Sequence, residues 1–208
     1  VLEFPAKYGL KLKEDFEKYA SQLIKKTDDD VGKFFPQDHL IYLWSWCIRC
    51  AHCEQRFPLT NHMYIAKTSK KKIGVKFIPK DKNFTVEIIK NISESDGKKY
   101  TQKGGKAICI SCKNTINYKS MMDDISKNKD REMICIQIQK NKGRDYIVPT
   151  EEDKKIYQNA VNFFNLKKSD FEKENLIPKE KIHQDPRNPL INYGVLDWSE
   201  YFDERQLL

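Results

Sequence analysis

Two Cys-x-x-Cys pairs, Cys50/Cys53 and Cys109/Cys112, constrain this chain more than any other feature of its sequence. A two-residue spacing lets both thiolates of one tight turn reach a common ion, with the intervening amides able to bond back to sulfur. Two such turns supply four soft ligands and close a tetrahedral shell, which suits structural Zn2+ and leaves no open position for chemistry. Iron in a rubredoxin-like site uses the same ligand set, so the spacing specifies the ligands more firmly than the metal. A closed shell would tie together the ends of the 54–108 segment. Structural zinc of this kind contributes on the order of 10 kcal/mol or more of apparent binding energy.

The other cysteines read differently. Cys47-Ile48-Arg49-Cys50 overlaps the first pair, but Trp46-Cys47 continues an apolar strand, so Cys47 is expected as a small hydrophobe packed beneath the site. His52 lies between two ligand positions and is expected to face solvent. Cys135 alternates with Ile134 and Ile136 and reads as inert core. A disulfide framework fits poorly, because the chain carries no export signal. Redox use of one pair lacks the βαβ frame that such chemistry employs. Glu54 and Lys113 follow the two pairs where glycine is common, since that position takes positive φ.

With 208 residues the chain is long enough to bury a core without disulfides. Its net charge of +8 attracts polyanions, and nucleic acid ahead of acidic proteins or membranes, although a lysine-rich solvated surface gives the same balance. Basic residues cluster at Lys67 and Lys70–Lys72, at Lys98, Lys99, Lys103 and Lys106, and at Lys140, Lys142 and Arg144. Lys70, Lys71, Lys72, Lys142 and Arg144 are the candidate nucleic-acid contacts, placed to hold phosphate without reading sequence. No Gly-rich phosphate loop, His-Glu-x-x-His or nucleophile elbow occurs, and the four histidines are scattered, so no self-sufficient active site is legible. No apolar run approaches the roughly 18 residues of a membrane span. An intracellular, cytoplasmic protein is expected.

The pattern predicts an α+β fold: an antiparallel sheet with a four-cysteine zinc ribbon, flanked by amphipathic helices. It divides into an N-terminal helical segment (1–39), a zinc-ribbon β domain (40–149) and a C-terminal helical segment (150–208). Leu10, Phe16, Tyr19, Ala20, Leu23 and Ile24 recur at helical spacing over 10–27, with the Asp28–Gly32 stretch ending the helix. Strands are predicted over 40–46, 63–67, 73–78, 84–89 and 132–139, with a neighbour over 145–148 across 141–144. A turn is expected over 79–83, an exposed loop over 93–106 and a short helix over 118–128. Thr150 and Asp153 resemble a capping box opening a strong helix, and Ser169 with Glu172 reads as the cap of a further short one. An irregular connector over 178–189 leads to a closing helix near Trp198. Both ends read as cut, because the apolar pattern Trp198, Tyr201, Phe202 and Leu208 is still running at the last residue.

Several segments together resemble the ribbon inserted in a group of adenine-specific DNA methylases that begin with a domain of unknown function. Tyr42-Leu43-Trp44 fits their approach strand. Cys50-Ala51-His52-Cys53 followed by Phe57-Pro58-Leu59 is similar to their first knuckle, and Ala107-Ile108-Cys109-Ile110-Ser111-Cys112 to their second. Gly143-Arg144-Asp145-Tyr146, Pro149–Asp153, and Tyr193-Gly194-Val195 through Arg205-Gln206-Leu207-Leu208 follow in the family's order. In that family this segment lies between the motif that binds S-adenosylmethionine and the Asp-Pro-Pro-Tyr-type motif that holds the target amine. Neither occurs here, and Asp185-Pro186-Arg187-Asn188-Pro189 lacks the aromatic that stacks on a flipped base. The resemblance implies an accessory domain with DNA as partner, a catalytic methylase domain in cis, and S-adenosylmethionine only in the longer parent.

Overall fold

The computed structural model describes residues 3–69, 71–141, 143–183, 191 and 194–208. Lys70, Lys142, Tyr193 and residues 184–189 of the expected connector lie outside the described residues. The chain is α+β, and its sheets are antiparallel.

The aromatic and β-branched run upstream of the first cysteines forms β1 (His39–Arg49), which delivers the chain directly to Cys50. β1 pairs on one side with β9 (Arg131–Lys140) and on the other with β2 (Arg56–Pro58), and β9 pairs with β10 (Gly143–Ile147), so the strand order is β10-β9-β1-β2. Tyr42 faces Ile136 and Leu43 faces Cys135 across this sheet, and a bulge between Leu43 and Trp44 shifts the register just before the cysteines.

A second sheet contains β3 (Tyr64–Lys67), β4 (Lys72–Lys80) and β5 (Asn83–Lys90) in that order. Burial alternates along β5, as the half-buried pattern predicts. The expected 79–83 turn contracts to Asp81-Lys82, both at positive φ (47° and 58°), the geometry of a two-residue hairpin turn. Pro79 therefore sits inside β4. The sheet tolerates it there because only β5 pairs with this part of the strand.

Segment 93–106 differs from the exposed loop its composition suggests. Ser93 caps a single helical turn, α2 (Glu94–Gly97), by accepting a hydrogen bond from the Asp96 amide. Gly104 and Gly105, both at positive φ, form the turn of a hairpin between β6 (Gln102–Lys103) and β7 (Lys106–Ile108). The glycines read as loop formers are turn formers. β8 (Thr115–Ile116) completes this third sheet, which carries the second cysteine pair between β7 and β8.

Helix α3 (Tyr118–Asn128) is capped by Asn117 and stops at Lys129 in the left-handed region. Helix α4 (Glu151–Lys173) opens on the full Thr150/Asp153 capping box. Ser169 and Glu172 lie inside α4 and cap nothing, because no Gly or Pro interrupts the helix before them. The expected closing helix is a single 3-10 turn at Trp198–Tyr201. Helix α1 (Glu3–Val31) runs past the predicted 10–27 at both ends, interrupted by the non-helical Gly9 (φ 56°, ψ −143°). Asp28–Asp30 remain helical, and the chain leaves the helix at Val31, where Gly32 begins a 3-10 turn. The amphipathic pattern of α1 does not serve the core. None of its residues is buried, and Leu10, Phe16 and Ile24 are 83%, 71% and 69% exposed.

The first sheet is covered on both faces. Met133, Ile136 and Ile138 pack with Tyr42, Trp44 and Tyr157 under α4, while Ile134 and Cys135 pack with Val75 and Phe77 of the second sheet. A third cluster, described below, surrounds the cysteine pairs. Arg205 fastens the C-terminal stretch to this assembly. Its guanidinium lies 3.6 Å from the Tyr42 ring centroid, with Phe35 and Tyr157 also near.

One ion cluster ties β2 to the start of β9. Arg56 donates from Nε and Nη2 to Asp130 at 2.7 Å each, and its Nη1 lies 2.9 Å from Glu132. The Arg56 side chain is nearly buried while both acids keep some water contact. Removing the guanidinium strands two carboxylates against a packed strand. Arg56→Ala is expected to lower unfolding free energy by about 2 kcal/mol, less than a fully buried pair loses because solvent screens the acids. Urea denaturation of the two proteins measures the difference.

Candidate metal centre and basic surface

Strand β1 ends at Arg49, immediately before Cys50, and Cys53 follows on the turn before β2; Cys109 and Cys112 occupy the turn between β7 and β8. The two turns repeat one backbone design. In the first, the Cys50 amide donates to Gln55 O (3.0 Å) and the Glu54 amide to Cys50 O (2.7 Å). In the second, the Cys109 amide donates to Asn114 O (3.0 Å) and the Lys113 amide to Cys109 O (3.2 Å). Each knuckle needs a left-handed residue after its second cysteine. Glu54 (φ 61°) and Lys113 (φ 63°) adopt that conformation although neither is glycine.

The knuckles meet face to face. Cys50 Sγ lies 3.6 Å from Cys112 Sγ, Cys53 Sγ lies 3.6 Å from Cys109 Sγ, and all four sulfurs fall within 4.8 Å of one another. Four ligands at about 2.3 Å on a tetrahedron stand about 3.8 Å apart, so the arrangement has the dimensions of a four-thiolate site. The separations exceed a disulfide bond of about 2.05 Å, and all six cysteines are free thiols. The four cysteines can hold a metal ion, and among the described residues this is the one such cluster of His, Cys, Asp and Glu.

Amide hydrogens converge on the sulfurs as well. The His52 and Cys53 amides donate to Cys50, those of Ser111 and Cys112 to Cys109, and that of Asn114 to Cys112. Burial pushes the Cys109 thiol up to about 12 and raises Cys50, against the opposing pull of their amides. The Asn114 amide draws the exposed Cys112 thiol down to about 7. Burial therefore favours the protonated thiols of Cys50 and Cys109, and the Asn114 amide favours the thiolate of Cys112.

Behind the sulfurs, Ile48, Phe57, Ala107, Ile116, Met121, Met122 and Ile125 form a closed apolar cluster. Helix α3 supplies the last three, which makes it the back wall of the site. Cys47 is fully buried as expected, and its thiol is pushed up to about 12 by burial; its charged neighbours are Arg56, Asp130 and Glu132. His52 is exposed and stands outside the sulfur cluster. Cys135 is fully buried, its thiol likewise raised to about 12 by burial.

The basic segments also find places. Lys71 Nζ donates to Arg144 O at 3.0 Å and approaches the Tyr146 ring, so the β3–β4 turn meets the β9–β10 hairpin. Lys72 pairs across the sheet with Lys67. Lys98 holds the Glu94 carboxyl below the usual range, with Lys67 and Lys72 adding to the effect. Lys99 does the same for Asp96, with Lys76 nearby. Lys140 and Lys90 share Asp145, whose carboxyl drops to about 2 under the Lys140 hydrogen bond, the Tyr146 amide and Lys90. Three lysine groups distant in sequence thus lie on linked parts of the surface. Sequence spacing gave no sign of Lys76 and Lys90, because cross-strand register brings them there.

No protein-family model, curated protein or solved structure matches this chain.

Purified protein is expected to carry one tightly bound metal ion per chain by elemental analysis, and Cys50→Ser or Cys109→Ser to lose it and unfold the region around 45–115. Retention should weaken as pH falls. Protons compete for Cys50 and Cys109, whose thiols are raised, so the metal's contribution to stability is present at high pH and lost on acidification. Chelator-release rates measured between pH 8 and pH 6 follow that loss.

Proposed function

We propose that this chain is a zinc-stabilised accessory domain that helps an S-adenosylmethionine-dependent DNA adenine methyltransferase engage its DNA. The observation that carries the reading is the junction of Lys71 and Arg144, which joins basic segments from two sheets beside aromatic Tyr146. Lysines on hairpin tips suit phosphate contacts, which position a protein on a duplex without reading its sequence. Zinc is the metal of choice because a closed sulfur shell backed by a dry apolar cluster serves scaffolding and exposes no ligand position to substrate. The resemblance of both knuckles and the C-terminal stretch to the methylase ribbon supplies the parent enzyme and the catalytic domain in cis, and a cytoplasmic setting suits that parent. No helix of the described residues is long and apolar enough to cross a membrane.

A second reading rests on α1. A helix of 29 residues with no buried residue presents an apolar stripe that suits contact with protein. In that reading the ribbon braces the enzyme and the lysines only solubilise it.

Fluorescence anisotropy on duplex DNA separates the two. DNA engagement predicts affinity that falls steeply with salt. Lys71→Gln, Lys72→Gln and Arg144→Gln combined should reduce the slope of log K against log salt by about 2.7, near 0.9 per lost phosphate contact. Affinity that is negligible at low salt, or a slope the triple variant leaves alone, favours bracing.

A further inference from the structure

A groove of about 760 Å³ runs between β4 and the second cysteine knuckle. That volume lies in the range of small-ligand sites. Its floor and walls are apolar, with Met63, Phe77, Ile110 and Tyr100 among the lining residues. Three ammonium groups lie along it, those of Lys76, Lys99 and Lys113, against one carboxylate, Asp96, which Lys99 already engages at 2.7 Å. An apolar bed with a surplus of cations selects a ligand that has a flat hydrophobic body and an anionic tail. A nucleotide has both. The groove also adjoins the basic surface, since Lys76 acts on Asp96 while Lys67 and Lys72 act on the Glu94 carboxyl in the same short helix.

Lys113 is the second and independent observation. It holds a left-handed conformation (φ 63°) at a position where glycine sits without cost. The corresponding residue of the first knuckle, Glu54, at least pairs with Lys82 across the surface. Lys113 has no carboxylate partner among the described ion pairs; its Nζ donates to Ile110 O at 2.7 Å, which holds the ammonium beside the groove and leaves two of its three protons for another acceptor.

We infer that this groove receives one unstacked nucleotide of the bound DNA, its base against the apolar bed and its phosphate among Lys113, Lys99 and Lys76. The inference rests on the DNA-engaging reading above and assigns that surface a specific occupant.

Anisotropy of the metal-loaded protein on two labelled duplexes, one fully paired and one carrying a single unpaired nucleotide, tests it. The unpaired site should bind about tenfold more tightly, because its base gains an apolar stacking surface and its phosphate gains the ammonium groups of the groove. Lys113→Gly should abolish most of that preference while leaving affinity for the paired duplex within about twofold, because a paired duplex places no nucleotide in the groove and so loses no phosphate contact there. The same variant should keep or raise the thermal midpoint, since glycine relieves the strained position. A purely structural Lys113 would give the stability gain without the binding loss, and that result overturns the inference. Lys76→Gln with Lys99→Gln leaves the knuckle untouched and should also lose the preference; retention of the preference in both variants places the nucleotide elsewhere. Equal, salt-dependent binding of the two duplexes by the unaltered protein removes the groove and leaves the DNA reading standing. Absence of binding to either duplex removes both.

Discussion

Two short turns from opposite ends of a 54–108 insert must arrive with their sulfurs within a few ångströms of each other, and the remainder of the architecture serves that meeting. The polypeptide reaches the first turn along the longest strand, β1, and the second along a minimal hairpin, β7–β8. Neither turn has enough apolar surface of its own to hold position. Helix α3 closes behind both, and Phe57 and Ile48 fill the space between them. Amides aimed at the sulfurs prepare the turns for thiolate charge, while burial of Cys50 and Cys109 opposes that charge in the absence of a cation. Four thiols brought together in this way can hold a cation that completes the arrangement.

The knuckles solve the same geometrical problem without the residue best suited to it. Glu54 and Lys113 occupy matching left-handed positions within two degrees of each other in φ. The absence of glycine there looked like a departure from the ribbon pattern, yet the backbone is what the pattern requires. Side chains at these positions are therefore additions to the turn, and each reaches a different neighbour: Glu54 the Lys82 ammonium on the β4–β5 turn, Lys113 the wall of the groove.

Much of this was legible from residues alone where the signal was local. The cysteine spacing identified the ligand set, period-two alternation located β4, β5 and β9, and Thr150 with Asp153 marked the start of α4 to the residue. Expectations failed where local composition competed with pairing at a distance. Gly104 and Gly105 looked like part of an exposed loop and are a hairpin turn, because Gln102 and Lys103 have β7 to pair with. Pro79 looked like a strand end and lies within β4, because no strand contests its missing amide. Ser169 and Glu172 looked like a cap, but a cap requires a helix that has stopped, and α4 had not. The Arg56 cluster and the junction of Lys71 with Arg144 join residues more than 70 positions apart, and nothing in one strand announces its partner in another.

Helix α1 has a different standing from everything else in the molecule. Its backbone hydrogen bonds are shielded by no neighbouring layer, and helices that lack tertiary support are marginal in water even at favourable lengths. Exchange of amide hydrogens should therefore divide the chain sharply, with slow exchange in β1, β9 and the residues behind the sulfurs and fast exchange throughout 3–31. Residues 3–31 are in that sense a shape the core does not hold, resting on their own turns alone.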